Sequence, residues 1–85
     1  MSSLNLLLSA MSDRNAESFS IEVQQQLVKR VIIDSPNQST TVSINRLSSG
    51  EQSAIHSLLT KSVNATKRDS FFIDIHVRSG ALVLH

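Results

Sequence analysis

Glu17-Ser18-Phe19-Ser20-Ile21-Glu22-Val23 and Asp69-Ser70-Phe71-Phe72-Ile73-Asp74-Ile75 are two versions of one phrase. Each sets a carboxylate and a serine before phenylalanine, then isoleucine, a second carboxylate and a β-branched residue. Apolar residues at alternate positions predict a half-buried strand in both places. Each phrase also follows leucines, Leu6-Leu7-Leu8 in one case and Leu58-Leu59 in the other. A helix feeding a strand, built twice, is the reading that decides the fold. The copies lie 52 residues apart, a spacing consistent with duplication of an αββ unit.

Upstream of the first copy, Leu4, Leu7, Leu8 and Met11 fall at i, i+3, i+4 and i+7, one stripe of a helix. Ser2 or Ser3 supplies a cap. So short a helix is marginal alone and must dock on something. Ser12 to Ala16 connects it to the strand.

Beyond Phe19 the alternation runs on through Ile21, Val23, Leu27, Val31 and Ile33. A single strand of that length would span about 50 Å, too long for so small a domain. A bend or bulge near Gln24-Gln25-Gln26 resolves this, as does a switch to helix. Strand is the favoured reading for 18–24 and, over helix, for 27–34. Ser35-Pro36-Asn37-Gln38-Ser39 is a turn, and Thr40 to Arg46 alternates again, which makes a hairpin around Pro36.

Upstream of the second copy, Ser48 with Glu51, or Ser49 with Gln52, has the spacing of a capping box. Ile55, Leu58, Leu59 and Val63 form the buried stripe of the helix that follows, and Lys61, Lys67 and Arg68 complement its dipole toward the end. In 70–77, Phe71, Ile73, Ile75 and Val77 face in while Asp74, His76 and Arg78 face out. Ser79-Gly80 permits a tight turn, and Ala81-Leu82-Val83-Leu84 reads as a fully buried strand. The expected architecture is one α+β domain spanning 1–85. It has two layers in the order α-β-β-α-β-β, with a mostly antiparallel sheet and both helices on one face.

Composition bounds the function. Eighty-five residues with a formal net charge of +1 give no strong field toward nucleic acid or an anionic membrane. Cysteine is absent, which excludes disulfides, thiolate chemistry and cysteine-ligated metals, and fits a cytoplasmic protein. Tryptophan and tyrosine are also absent, so Phe19, Phe71 and Phe72 are the whole aromatic supply for stacking on bases. No stretch approaches the roughly 20 apolar residues of a membrane helix. The uncharged start, Met1 to Ser12, lacks the basic n-region of a signal peptide and reads as part of the fold.

Candidate chemistry is sparse. Leu47-Ser48-Ser49-Gly50-Glu51-Gln52 resembles the signature motif of ABC-type ATPases, in which a serine and a glycine at a helix N-terminus touch a nucleotide γ-phosphate. The resemblance covers six residues, and no glycine-rich phosphate loop accompanies it, so helix capping is the stronger reading. Asp74 and His76 share a strand face, and His56 or His85 could join them, but a solvated polar face with Arg78 as a salt-bridge partner accounts for the pattern. No nucleophile elbow appears. The expectation is therefore no enzyme, no cofactor and no metal.

What remains is binding. An apolar alternation in 19–33 and a terminal strand ending at His85 offer sheet edges that a partner's strand or a second copy would cover. The expected function is a small regulatory or protein-interaction module, a homodimer through sheet edges or the first helix. Leu4, Leu7, Leu8, Met11, Lys29, Arg30, Lys67 and Arg68 are the candidate contacts. The alternative is a nucleic-acid-binding regulator using the basic pairs at 29–30 and 67–68, which carboxylates at Glu22, Asp34, Asp69 and Asp74 interrupt.

Overall fold

The computed structural model describes residues 3–85. Its elements run α1 (Ser3–Asp13), β1 (Ser18–Gln24), β2 (Leu27–Ser35), β3 (Gln38–Val42), a 3-10 turn (Ile44–Arg46), α2 (Ser49–Thr66), β4 (Ser70–His76) and β5 (Ala81–Leu84). All pairings are antiparallel and the sheet order is β3-β2-β1-β4-β5. The α+β class and the antiparallel sheet are those expected from the sequence.

The order needs one correction: three strands, not two, precede α2. The bent strand expected through 18–33 is a hairpin of β1 and β2, and 27–34 is strand rather than helix. The longest dimension of the domain is 33 Å, so a continuous strand could not fit. The chain reverses at Gln25 and Gln26, whose φ angles of 53° and 65° are the left-handed pair that a type I′ turn requires. Glutamine is no signature of that turn, and the sequence hid it. Two residues earlier the ladder slips. Glu22 faces Arg30 but Val23 faces Val28, so Lys29 is the extra residue of a bulge.

Cross-strand register puts the apolar residues on one face. Phe19 lies between Ile33 and Ile75, Ile21 between Val31 and Ile73, and Val23 opposite Phe71. Onto this face α1 sets Leu7 and Met11, and α2 sets Ala54, Ile55, Leu58 and Leu59, completing one core cluster. Fully burying such side chains is worth about 1.5–3 kcal/mol each, which is what holds the short α1 in place. Ser2, one of its two expected caps, lies outside the described residues, and Ser3 is the first helical residue. Asn15, at φ 57°, ends the helix in the left-handed conformation that asparagine tolerates.

The two copies of the phrase pair with each other. Phe19 opposes Ile75, Ile21 opposes Ile73 and Val23 opposes Phe71. A local twofold axis between Ile21 and Ile73 generates this register, because the same 52-residue step carries each residue onto its counterpart. Around that axis β2 and β5 flank the central pair, while β3 and the 3-10 turn belong to the first half alone.

Candidate binding surface

At the start of α2, Ser48 forms the capping box with Glu51: its Oγ accepts from the Glu51 N–H at 3.3 Å, and Glu51 Oε1 accepts from the Ser48 N–H at 3.1 Å. Gln52, of the other expected pair, donates to the Leu47 carbonyl at 2.8 Å instead. From the end of α1, the Arg14 guanidinium grips the same carboxylate twice, Nε to Oε2 at 2.8 Å and Nη2 to Oε1 at 2.7 Å. Arg14 and the Ser48 donors hold the Glu51 carboxyl below its ordinary pKa, although its burial pushes the other way. Of the residues that resemble the ABC signature, Ser48, Glu51 and Gln52 are thus occupied at the start of α2, and Glu51 also ties it to α1.

With both helices on one face, the other face of the sheet lies open. It carries Thr41, Ile32, Ser20, Asp74 and Val83 across one row and Arg30, Glu22, Phe72 and His85 across the next. Its charged groups are tied to neighbours. Ser18 and Ser39 donate to Asp34, Arg30 and Lys29 pair with Glu22, and His85 bonds Asp74 while its ring stacks on Phe72 with centroids 5.6 Å apart. A face of this kind is at home in water, as is common for antiparallel sheets packed on one side. Asp74 and His85 satisfy each other, and the described residues hold no group of three or more His, Cys, Asp or Glu placed to share an ion.

Of the candidate contacts, Leu7 and Met11 are completely buried and serve the core. Leu4 and Leu8 are half-buried, packed against the same cluster, and the exposed leucine of α1 is Leu6, at 39%. The two basic pairs lie toward the same end of the sheet, with Glu22 between them. The Gln25 N–H donates to the Asp69 carbonyl at 2.7 Å, which draws the β1–β2 turn against the start of β4. Glu22, which holds Lys29 and Arg30, lines a cleft of about 180 Å³ with Arg68, Ser70, Phe72 and His85. Lys67 and Arg68 line a neighbouring cleft of about 330 Å³ with Gln26 and Asp69.

The strand 81–84 is a second correction. It is not a central, fully buried strand but an edge: Leu82 and Leu84 are half-buried and Val83 is 44% exposed. Four consecutive apolar residues gave the misleading signal. A terminal edge is as expected, but reading Ala81 to Leu84 as buried keeps them off the candidate contacts. Among the described residues no helix is long and apolar enough to cross a membrane. No family model, no curated protein and no solved structure matches this chain.

Proposed function

We propose that this chain is a small intracellular protein-interaction module, not an enzyme, that binds through the edges of its sheet and associates with itself. The observation that supports the reading is the pair of strands at the sheet's ends. Among the described residues β3 and β5 each have a neighbour on one side only, while both helices are committed to the inner face. An uncapped edge presents unpaired N–H and C=O groups that another strand can satisfy. Light scattering coupled to size-exclusion chromatography at micromolar concentration should report twice the 9.3 kDa chain mass. A monomer at that concentration removes self-association from the reading.

A second reading has its own support in the placement of Lys29, Arg30, Lys67 and Arg68 toward one end of the sheet, where Arg68 shares a cleft with the stacked Phe72 and His85. Cations next to stacked rings suit a single-stranded nucleic acid. Glu22 engages two of the four cations, which weakens the attraction for phosphate. Binding of a single-stranded oligonucleotide that is lost on raising salt, with no change in chain mass, would favour this reading over the first.

A further inference from the structure

We infer that the self-association surface is β5, paired antiparallel with β5 of a second copy about a twofold axis at Val83, giving one continuous ten-stranded sheet. This rests on the self-association reading above and names the edge and the register.

The backbone sets the register. Phe72 and His85 exchange both of their hydrogen bonds, at 2.6 and 3.0 Å. In an antiparallel ladder such mutual pairs alternate, so Val83 and Ala81 also turn their N–H and C=O groups toward β4. Leu82 and Leu84 therefore direct theirs to the free side. Two copies related by an axis at Val83 set Leu82 opposite Leu84 and Leu84 opposite Leu82, and all four pairs of outward groups are satisfied.

The side chains agree with that register. Leu82 and Leu84 share the inner face, half-buried, so in the dimer each would meet the other's counterpart and complete its burial. Ala81 would oppose His85, and Val83 would oppose itself on the open face, so no like charges meet. Charge, proline and a bulge, the usual guards of an edge, are all missing from 81–84. The other edge is a poorer candidate. In β3 only Val42 is apolar, and Gln38, Ser39, Thr40 and Thr41 are exposed polar residues whose burial would gain little. The chain already uses the same solution internally, where β1 and β4 pair antiparallel about Ile21 and Ile73.

Cysteine cross-linking tests this directly, because the chain has no cysteine of its own. Facing Val83 residues would form a non-hydrogen-bonded pair with Cα atoms about 4.5 Å apart, within disulfide reach. Air oxidation of the Val83→Cys variant should give a covalent dimer on non-reducing gels, while Thr41→Cys, also exposed but on β3, should stay a monomer on the gel. Val83→Lys places two ammonium groups face to face and should elute as a folded monomer, checked by circular dichroism. A wild-type dimer in which Thr41→Cys cross-links and Val83→Cys does not would overturn the assignment and move the interface to β3. A wild-type dimer in which neither cross-links would overturn the register but leave self-association standing. A wild-type monomer by light scattering would overturn both.

Discussion

The two halves of this domain start from the same phrase and finish differently. In the first, β2 is followed by β3, so the sheet ends on a polar strand and β2 is covered on both sides. In the second, β5 has no such successor among the described residues, and the sheet ends on Ala81-Leu82-Val83-Leu84. The helices diverge too: α2 has 18 residues and a capping box, while α1 has 11 and leans on α2 through Arg14. The core is symmetric where the phrases meet and the asymmetry lies at the rim. The repeated phrase thus fixes the centre of the sheet, and what each half adds beyond the central pair decides how its edge is finished.

The largest test of that comparison concerns the shared core. Phe19 is completely buried and Phe71 is 3% exposed, at symmetric places beside the axis. Truncating either to alanine should cost about 3–5 kcal/mol in chemical denaturation. Losses differing by more than about 2 kcal/mol would break the equivalence, since well-matched sites collapse to similar cavities.

The asymmetric tie between the helices should come next. Glu51→Ala removes a cap and a charged hydrogen-bond acceptor together, for a loss of about 2–3 kcal/mol. The pH dependence follows from the depressed pKa of Glu51. Its contribution is present above the ordinary value of 4.5 and is lost as pH falls through the lower folded-state value. The stability difference between wild type and Arg14→Ala should accordingly be full at neutral pH and shrink below about pH 4.5. A difference that stays constant down to pH 2 would show that Arg14 acts through packing alone.

The smallest effect distinguishes the two hairpins. Gly80, at φ 64°, lets the β4–β5 turn adopt a left-handed residue freely, whereas Gln25 and Gln26 carry side chains in that conformation. Relieving one of them, by Gln26→Gly, should raise stability by about 1 kcal/mol in urea denaturation. The corresponding change Gly80→Ala should lower it by a similar amount, because alanine at that φ is strained even though the nearest atom, Leu8 Cδ1, is 3.9 Å from the added Cβ. Opposite signs at the two turns sharpen the comparison, and equal signs would break it.

Period and capping made much of this protein legible in its sequence. Alternation in 18–24 and 70–76 placed the central strands, because a side chain on a strand has only two faces to choose from. The heptad-like stripe of Leu4, Leu7, Leu8 and Met11 placed α1, and Ser48 with Glu51 placed the start of α2. These are local properties, fixed by backbone geometry within a few residues. Tertiary structure decided the rest. It turned the chain at Gln25-Gln26, since packing in a 33 Å body outweighs the strain of two left-handed glutamines. It buried Leu7 and Met11 rather than leaving them for a partner, and it placed Lys29, Arg30, Lys67 and Arg68 toward one end of the sheet. It also put an apolar strand at the rim, because hydrophobicity records that a residue avoids water, while strand order decides whether its own chain supplies the cover.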